Sequence, residues 1–109
     1  MPSSSRHEIV LVHYPFTDLT ATKVRPAVVV HAPHVHVDYL IVPLTSQTGS
    51  LTQGEFVLSD WAGAGLNVPT AVKRGIFTIH PRLVVKRVGK LSRSDGDVLD
   101  ASLREWLGL

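Results

Sequence analysis

Short apolar runs separated by polar turns set the pattern of this chain. Residues 9–12 and 27–30 are uninterrupted apolar runs within the stretches EIVLVHY and VRPAVVVH. Their β-branched side chains predict strands at 8–14 and 24–31, the first of them buried rather than alternating. Pro26 stands near the start of the second strand, where its missing N–H group costs the sheet least.

Further strands are predicted in the rest of the chain. They cover residues 38–44, 55–59, 70–79 and 83–91. Gly75 is expected to interrupt the strand at 70–79, for instance as a bulge. The segment DWAGAGLNVP, residues 60–69, is predicted to form a tight crossing in which Trp61 packs on the core or on a partner.

The C-terminal segment has the pattern of an amphipathic helix. Its apolar residues recur at spacings of three and four, at Val98, Leu99, Leu103, Trp106 and Leu107. Ser92 followed by Asp95 resembles a capping box at the start of the helix. Gly108 can end it.

Together these elements predict a mainly β protein with one terminal helix. The connections are too short for the crossover helices that parallel strands need, so the sheet should be antiparallel. Five or six short strands favour a small, strongly curved barrel with the helix packed at one end. At 109 residues, the chain is expected to be a single domain, 1–109.

Composition narrows the choice of environment and chemistry. The chain has no Cys, which excludes a disulfide framework, a thiolate metal site and a Cys nucleophile. Its apolar runs are far shorter than the roughly 18 residues needed to cross a bilayer. The opening MPSSSRHE lacks the apolar region of a signal peptide. We therefore expect a soluble, cytoplasmic protein without a membrane partner.

The two strands 24–31 and 38–44 carry polar chemistry at their ends. Arg25 stands at the start of the first, and Thr45, Ser46 and Gln47 follow the second. If the strands pair antiparallel, Arg25 and Thr45 become neighbours. A guanidinium offers paired donors to phosphate oxygens, and a hydroxyl beside it adds a further donor, so this end of the hairpin predicts a phosphate site.

Two other patterns are weaker. No Asp or Glu occurs between Trp61 and Ser94, where seven basic residues fall: Lys73, Arg74, Arg82, Lys86, Arg87, Lys90 and Arg93. On one face they would attract a polyanion; on strand edges they would protect against aggregation. His34 and His36, which follow His31 closely in the chain, form an H-x-H pair that would suit a metal only if a third ligand of fixed geometry lay nearby. An exposed group of titratable histidines is the ordinary alternative.

The ordered set EIVLVHYPFTD, KVRPAVVV, IVPLTSQ and GIFTIHPRLVVKRVGKLS, followed by a closing helix, resembles the MazF/PemK family of toxin endoribonucleases over nearly the whole chain. The resemblance implies a homodimeric SH3-like barrel that cuts single-stranded RNA without a metal or other cofactor. It also implies a cognate antitoxin, a short, acidic and partly disordered protein that blocks the RNA groove.

The resemblance also implies roles for individual residues. Arg25 and Thr45 match the pair at the family's cleavage centre. Contacts to RNA are implied for a second group, consisting of Thr17, Ser46, Gln47, Lys73 and Arg74.

One departure keeps other functions open. Many members have a basic residue and an Asp two positions later in the strand that corresponds to 70–75, whereas this chain reads VKRG without a carboxylate. The general base is therefore unidentified. A non-catalytic module that binds nucleic acid or protein is the main alternative, because fold does not fix function. A gyrase-poisoning toxin of the same fold is another.

Overall fold

The computed structural model describes residues 5–13, 23–31 and 38–109. Within them the strands are β1 (Glu8–His13), β2 (Val24–Val29), β3 (Tyr39–Thr45), β4 (Phe56–Val57), β5 (Ala71–Val72), β6 (Phe77–Ile79) and β7 (Val84–Lys90). A 3₁₀ turn, Pro81–Leu83, precedes β7, and the helix α1 (Arg93–Leu107) closes the chain. No helix in these residues is both long enough and apolar enough to cross a membrane.

The strands form one antiparallel sheet in the order β4-β5-β3-β2-β1-β7, and β6 pairs with the remaining part of β3. The predicted class, mainly β with a C-terminal helix, is confirmed. The sheet itself is open between β4 and β7, whereas a barrel was expected. Among the described residues β4 and β7 are the ends of this strand order and do not pair with each other, and β4 has only two residues.

The predicted strand at 70–79 is interrupted at Gly75, as expected, and forms β5 and β6. Gly75 has a φ of 151°, and a Cβ atom there would lie 3.0 Å from the ring of Phe77. Both short strands pair with β3: Thr45 with Ala71 near one end, and Tyr39 with Ile79 at the other. Because of this break, the segment 71–79 pairs with β3 in two places, through β5 near the end of β3 and through β6 near its start.

The central strands are buried on both faces. One cluster contains Ile9, Val28, Val42, Leu44 and Leu58, and α1 adds Leu99 to it. The second contains Val10, Val12, Ala27, Val29, Tyr39, Ile41 and Ile79. Neighbouring residues of β1 and β2 thus enter different clusters, which explains why these strands are nearly continuous apolar runs.

Both predicted ends of α1 are confirmed. The hydroxyl of Ser92 accepts a hydrogen bond from the backbone N–H of Asp95 at 3.1 Å. Gly108 adopts the left-handed conformation with a φ of 70°, and its N–H returns to the last helical turn. Leu99 is fully buried in the first cluster, so α1 packs its apolar side on the sheet.

The tight crossing predicted for 60–69 is also present. A Cβ atom on Gly89 of β7 would lie 2.0 Å from the carbonyl oxygen of Ala64, so the two backbones touch where only glycine fits. Trp61 packs against the first cluster, as does Trp106, whose indole N–H donates to the carbonyl of Gln53 at 3.1 Å. Trp61, predicted to pack on the core or on a partner, therefore packs on the core of its own chain, and so does Trp106.

Candidate functional site

The pairing of β2 with β3 sets the geometry of the site. Ala27 lies opposite Pro43, Val28 opposite Val42 and Val29 opposite Ile41. Two residues beyond the Ala27–Pro43 pair, the start of β2 carries Arg25 and the end of β3 carries Thr45. The predicted antiparallel hairpin is thus confirmed, and it places these two residues at the same end.

An open groove of about 760 Å³ lies at this end of the sheet. Its lining includes Arg25, Thr45, Ser46, Gln47 and Lys73. The rest comes mainly from two loops and contributes Gly49, Ser50, Leu51, Glu55, Leu66, Asn67, Val68 and Thr70, besides Pro26, Pro43 and Leu44 on the strands. Five of the residues singled out from the sequence therefore share one concave surface.

Arg25 is exposed at the start of β2, and in the described part of the chain no carboxylate forms an ion pair with it. The guanidinium keeps its positive charge at neutral pH. Its donors are therefore available to an anion that enters the groove.

Thr45 is half-buried, and its hydroxyl oxygen accepts a hydrogen bond from the backbone N–H of Gln47 at 3.1 Å. This contact closes the turn after β3. A hydroxyl that accepts through a lone pair still has its own proton to donate. Thr45 can therefore hold the turn and donate to a group in the groove at once.

Lys73 directly follows β5, and its backbone N–H donates to the carbonyl of Pro43 at 2.9 Å. This bond fixes the residue beside β3, on the rim of the groove. Arg74 was predicted to bind RNA together with Lys73, but it is not part of the groove lining. Arg74 lies in the bend after β5, outside the strand. Thr17 lies outside the described residues.

Glu55 is the lining residue whose chemistry sequence analysis missed. One carboxylate oxygen accepts from the N–H of Thr52 at 2.7 Å and the other from the N–H of Arg74 at 2.8 Å. Hydrogen bonds from Arg74 and Thr52 lower the pKa of Glu55 below its usual value, and burial opposes them only in part. Its isolation was the available signal, because Glu55 is the one acidic residue between Asp38 and Asp60.

The histidines do not form a metal site within the part of the chain that the structure describes, where no three potential ligands come together. His31 is buried and stacks on Tyr39 with 4.9 Å between ring centroids. Its Nδ1 accepts a hydrogen bond from the backbone N–H of Leu40 at 3.4 Å. His34 and His36 lie outside the described residues. His13 is half-buried, and its Nδ1 has no hydrogen-bond partner among these residues.

The basic residues of the C-terminal half do not all belong to the groove. Lys86, Arg87 and Lys90 lie exposed on β7, the strand at the opposite end of the sheet order from β4 and β5. Arg87 also pairs with Glu8. Of the two roles considered for these basic residues, this placement favours the protection of an exposed strand edge against aggregation. Lys73 is the member of the basic group that lines the groove.

Comparison with protein families identifies the fold family of a toxin. The model of a family described as PemK-like, MazF-like toxin of type II toxin-antitoxin system matches residues 5–107. A search of curated protein sequences gives no significant match.

Solved structures share the fold over nearly the whole chain. An endoribonuclease in complex with its cognate antitoxin, from a mycobacterial species, is 17% identical, with a TM-score of 0.77 over 98% of this chain and 97% of the other. The toxin MazF-mt6 of Mycobacterium tuberculosis is 21% identical, with a TM-score of 0.74 and coverages of 94% and 97%. MazF from Deinococcus radiodurans is 19% identical, with a TM-score of 0.74 and coverages of 100% and 99%.

Proposed function

The chain belongs to the family of PemK-like, MazF-like toxins of type II toxin-antitoxin systems, and from this we propose that it is an endoribonuclease that cleaves single-stranded RNA without a metal. The observation that carries the proposal is the groove in which Arg25, Thr45 and Lys73 lie together at one end of the β2–β3 hairpin. Neighbours of the same fold that are named as endoribonucleases support it.

The proposed reaction uses the ribose 2'-OH as the nucleophile. Its oxygen attacks the adjacent phosphorus, the bond from phosphorus to the 5'-oxygen breaks, and a 2',3'-cyclic phosphate and a 5'-OH result. The 2'-OH gives up a proton to a base, and the departing 5'-oxygen receives one. In the transition state between the intact RNA and the cleaved products, the phosphate group carries additional negative charge, which a fixed cation stabilises.

Arg25 suits this stabilising role. Its planar fork matches two phosphate oxygens, and no described carboxylate competes for it. Thr45 is placed to donate its hydroxyl proton to a phosphate oxygen or to orient the 2'-OH, although a neutral hydroxyl is a poor base. Ser46, Gln47 and Lys73 extend the polar surface along the groove, where they contact the flanking nucleotides.

The function is tested by incubating purified protein with single-stranded RNA in EDTA. The wild-type protein is expected to leave fragments that end in a cyclic phosphate. Arg25→Ala should reduce the cleavage rate by about a hundredfold or more, because it removes a charge that stabilises the transition state. Arg82→Ala, which removes an exposed guanidinium outside the groove lining, is the matched control.

Two outcomes would contradict the proposal. Intact RNA that migrates more slowly with the protein would identify a binding module without catalysis. A folded Arg25→Ala variant that cleaves at the wild-type rate would remove Arg25 from the mechanism. The comparisons do not favour the binding module or a gyrase poison over an RNA-cutting toxin.

The partners follow from the same proposal. A structural neighbour was solved in complex with its cognate antitoxin, and we expect a short, acidic, partly disordered antitoxin here as well. Arg25 and Lys73 give the groove a cationic character that suits an acidic segment as well as RNA. A homodimer and a cytoplasmic place of action, where mRNA is available, complete the proposal.

A further inference from the structure

A carboxylate in a groove proposed to hold RNA needs an explanation. Among the described residues that line the groove, Glu55 is the one that carries a negative charge. The phosphates of a bound strand are repelled by it, so it opposes the part of RNA that Arg25 and Lys73 attract.

The structure holds this carboxylate in place from two sides. Thr52, in the loop before β4, donates to one oxygen at 2.7 Å, and Arg74, after β5, donates to the other at 2.8 Å. Since both donors are backbone N–H groups, neither contact depends on a flexible side chain. An ionised carboxylate has about two acceptor positions on each oxygen, so the two backbone donors, together with the side chain of Thr52 that also bonds to it and the nearby charge of Lys73, do not use all of its acceptor capacity.

The edge of a nucleobase supplies the donors that such a group can accept. Unpaired bases in single-stranded RNA are read on their Watson–Crick edges, and carboxylates accept hydrogen bonds from base amino groups. Guanine presents two adjacent donors, N1–H and the amino group at N2, which match the two carboxylate oxygens. Adenine and cytosine present an amino group beside an acceptor, whereas the N3–H of uracil stands between two carbonyl oxygens that repel a carboxylate.

We propose that Glu55 is a specificity-determining residue that binds the edge of a base flanking the cut, favouring guanine most and disfavouring uracil. The inference rests on the proposed function as far as cleavage is concerned. The selection of a base by Glu55 applies equally to RNA that is bound and not cleaved. Glu55 is not proposed as the general base. Its pKa lies below the ordinary carboxylate value, away from the neutral range in which a general base works best.

The test begins with a randomised pool of single-stranded RNA, whose cleavage by the wild-type protein identifies the flanking position with the strongest preference. Four oligonucleotides that differ only at this position, carrying G, A, C or U, are then compared for the wild-type protein and Glu55→Gln. The wild type should cleave the G substrate fastest and the U substrate slowest. Glu55→Gln should reduce the G-to-U rate ratio about tenfold, the size of a lost base contact.

The controls separate base selection from a structural role. Glu105→Gln removes the same charge from an exposed position on α1 and should keep the wild-type ratios. If Glu55 only holds Arg74 in place, its substitution lowers all four rates together and leaves their ratios unchanged, which would overturn the proposal. Glu55→Ala is the second variant. The melting temperatures of Glu55→Gln and Glu55→Ala show whether either change unfolds the protein.

A wild-type protein with no preference for guanine over uracil at any flanking position also overturns it, whatever the variants do. If the wild type does not cleave RNA at all, the proposed function fails. The same pool is then selected by binding, and the dissociation constants of four intact oligonucleotides that differ only at the most strongly selected position are compared instead. A preference for guanine that Glu55→Gln loses would then uphold base selection without cleavage. Equal binding of the four would end both proposals.

Discussion

Thr45 combines two tasks in one side chain. Its oxygen accepts the N–H of Gln47 and so closes the turn after β3, while the residue also lines the groove beside Arg25. A threonine at the end of a strand ordinarily has only the first task. The hydroxyl proton is what distinguishes the catalytic role, because the turn contact does not use it.

Thr45→Val tests this distinction. Valine keeps the β-branched shape and removes the hydroxyl, so RNA cleavage should fall at least about tenfold, as for other lost donors to a reacting phosphate. The free energy of unfolding should fall by no more than about 1 kcal/mol, because one partly exposed hydrogen bond is lost. Initial rates on RNA and urea unfolding curves measure the two effects.

Thr78→Val is the matched control for this substitution, since Thr78 is exposed on β6 and does not line the groove. A wild-type cleavage rate for Thr45→Val would leave Thr45 with its turn contact alone.

At the scale of elements, the start of α1 is joined to the loop after β4 by a single carboxylate. Asp95 is 3% exposed and accepts hydrogen bonds from the N–H and hydroxyl of Ser59, each at 2.9 Å, and from the N–H of Asp60 at 3.1 Å. Burial by itself raises the pKa of Asp95, but these hydrogen bonds, with that of Ser92, outweigh burial and lower it. The helix is therefore fixed to the crossing segment at its first turn.

Asp95→Asn should destabilise the protein by about 2–3 kcal/mol, because hydrogen bonds to a charged acceptor are lost and buried donors are left without partners. The amide of asparagine has one acceptor oxygen and cannot serve both Ser59 and Asp60. Asp97→Asn, at an exposed position in the same helix, should cost less than about 1 kcal/mol. Equal urea midpoints for the two variants would show that the contacts of Asp95 contribute little.

At the scale of the whole molecule, four carboxylates of the described residues join parts that are distant in the chain. Glu8 pairs with Arg87 across β1 and β7, and Asp100 of α1 accepts from Arg6 at 2.8 Å and contacts His7 at 2.9 Å. Glu55 and Asp95 connect loops to β5 and α1. In all four the hydrogen bonds of the folded state lower the pKa, although burial opposes the shift.

These shifts predict loss of stability in acid. A carboxylate whose pKa is lower when folded binds more protons in the unfolded state as pH falls, so its contribution is complete above the unfolded pKa of about 4. It is lost as pH falls further through the folded pKa. The free energy of unfolding, measured with urea, should therefore decline steadily below about pH 4. A value that stays constant or rises from pH 5 to pH 3 would contradict this origin.

The outline of the fold could be predicted because its signals are local. A strand shows in the alternation and branching of adjacent residues, and the ends of α1 show in Ser92, Asp95 and Gly108, within one turn of the helix. Arg25 and Thr45 could be paired in advance because an antiparallel hairpin fixes which ends meet. The break at Gly75 could also be predicted, because a glycine within a strand pattern is a local signal.

The open sheet and the full groove depended on contacts between distant segments. Whether a sheet closes depends on the tilt and stagger of strands from distant parts of the chain, and the described end strands β4 and β7 do not pair. Glu55 and Lys73 reach the groove because β5 pairs with both β3 and β4, a choice that no local pattern records. The amino-acid sequence by itself thus determined the strands, the helix and the cationic end of one hairpin. Only the tertiary structure decided which loop placed a carboxylate beside that end, because the position of a loop depends on the strands that bring it there.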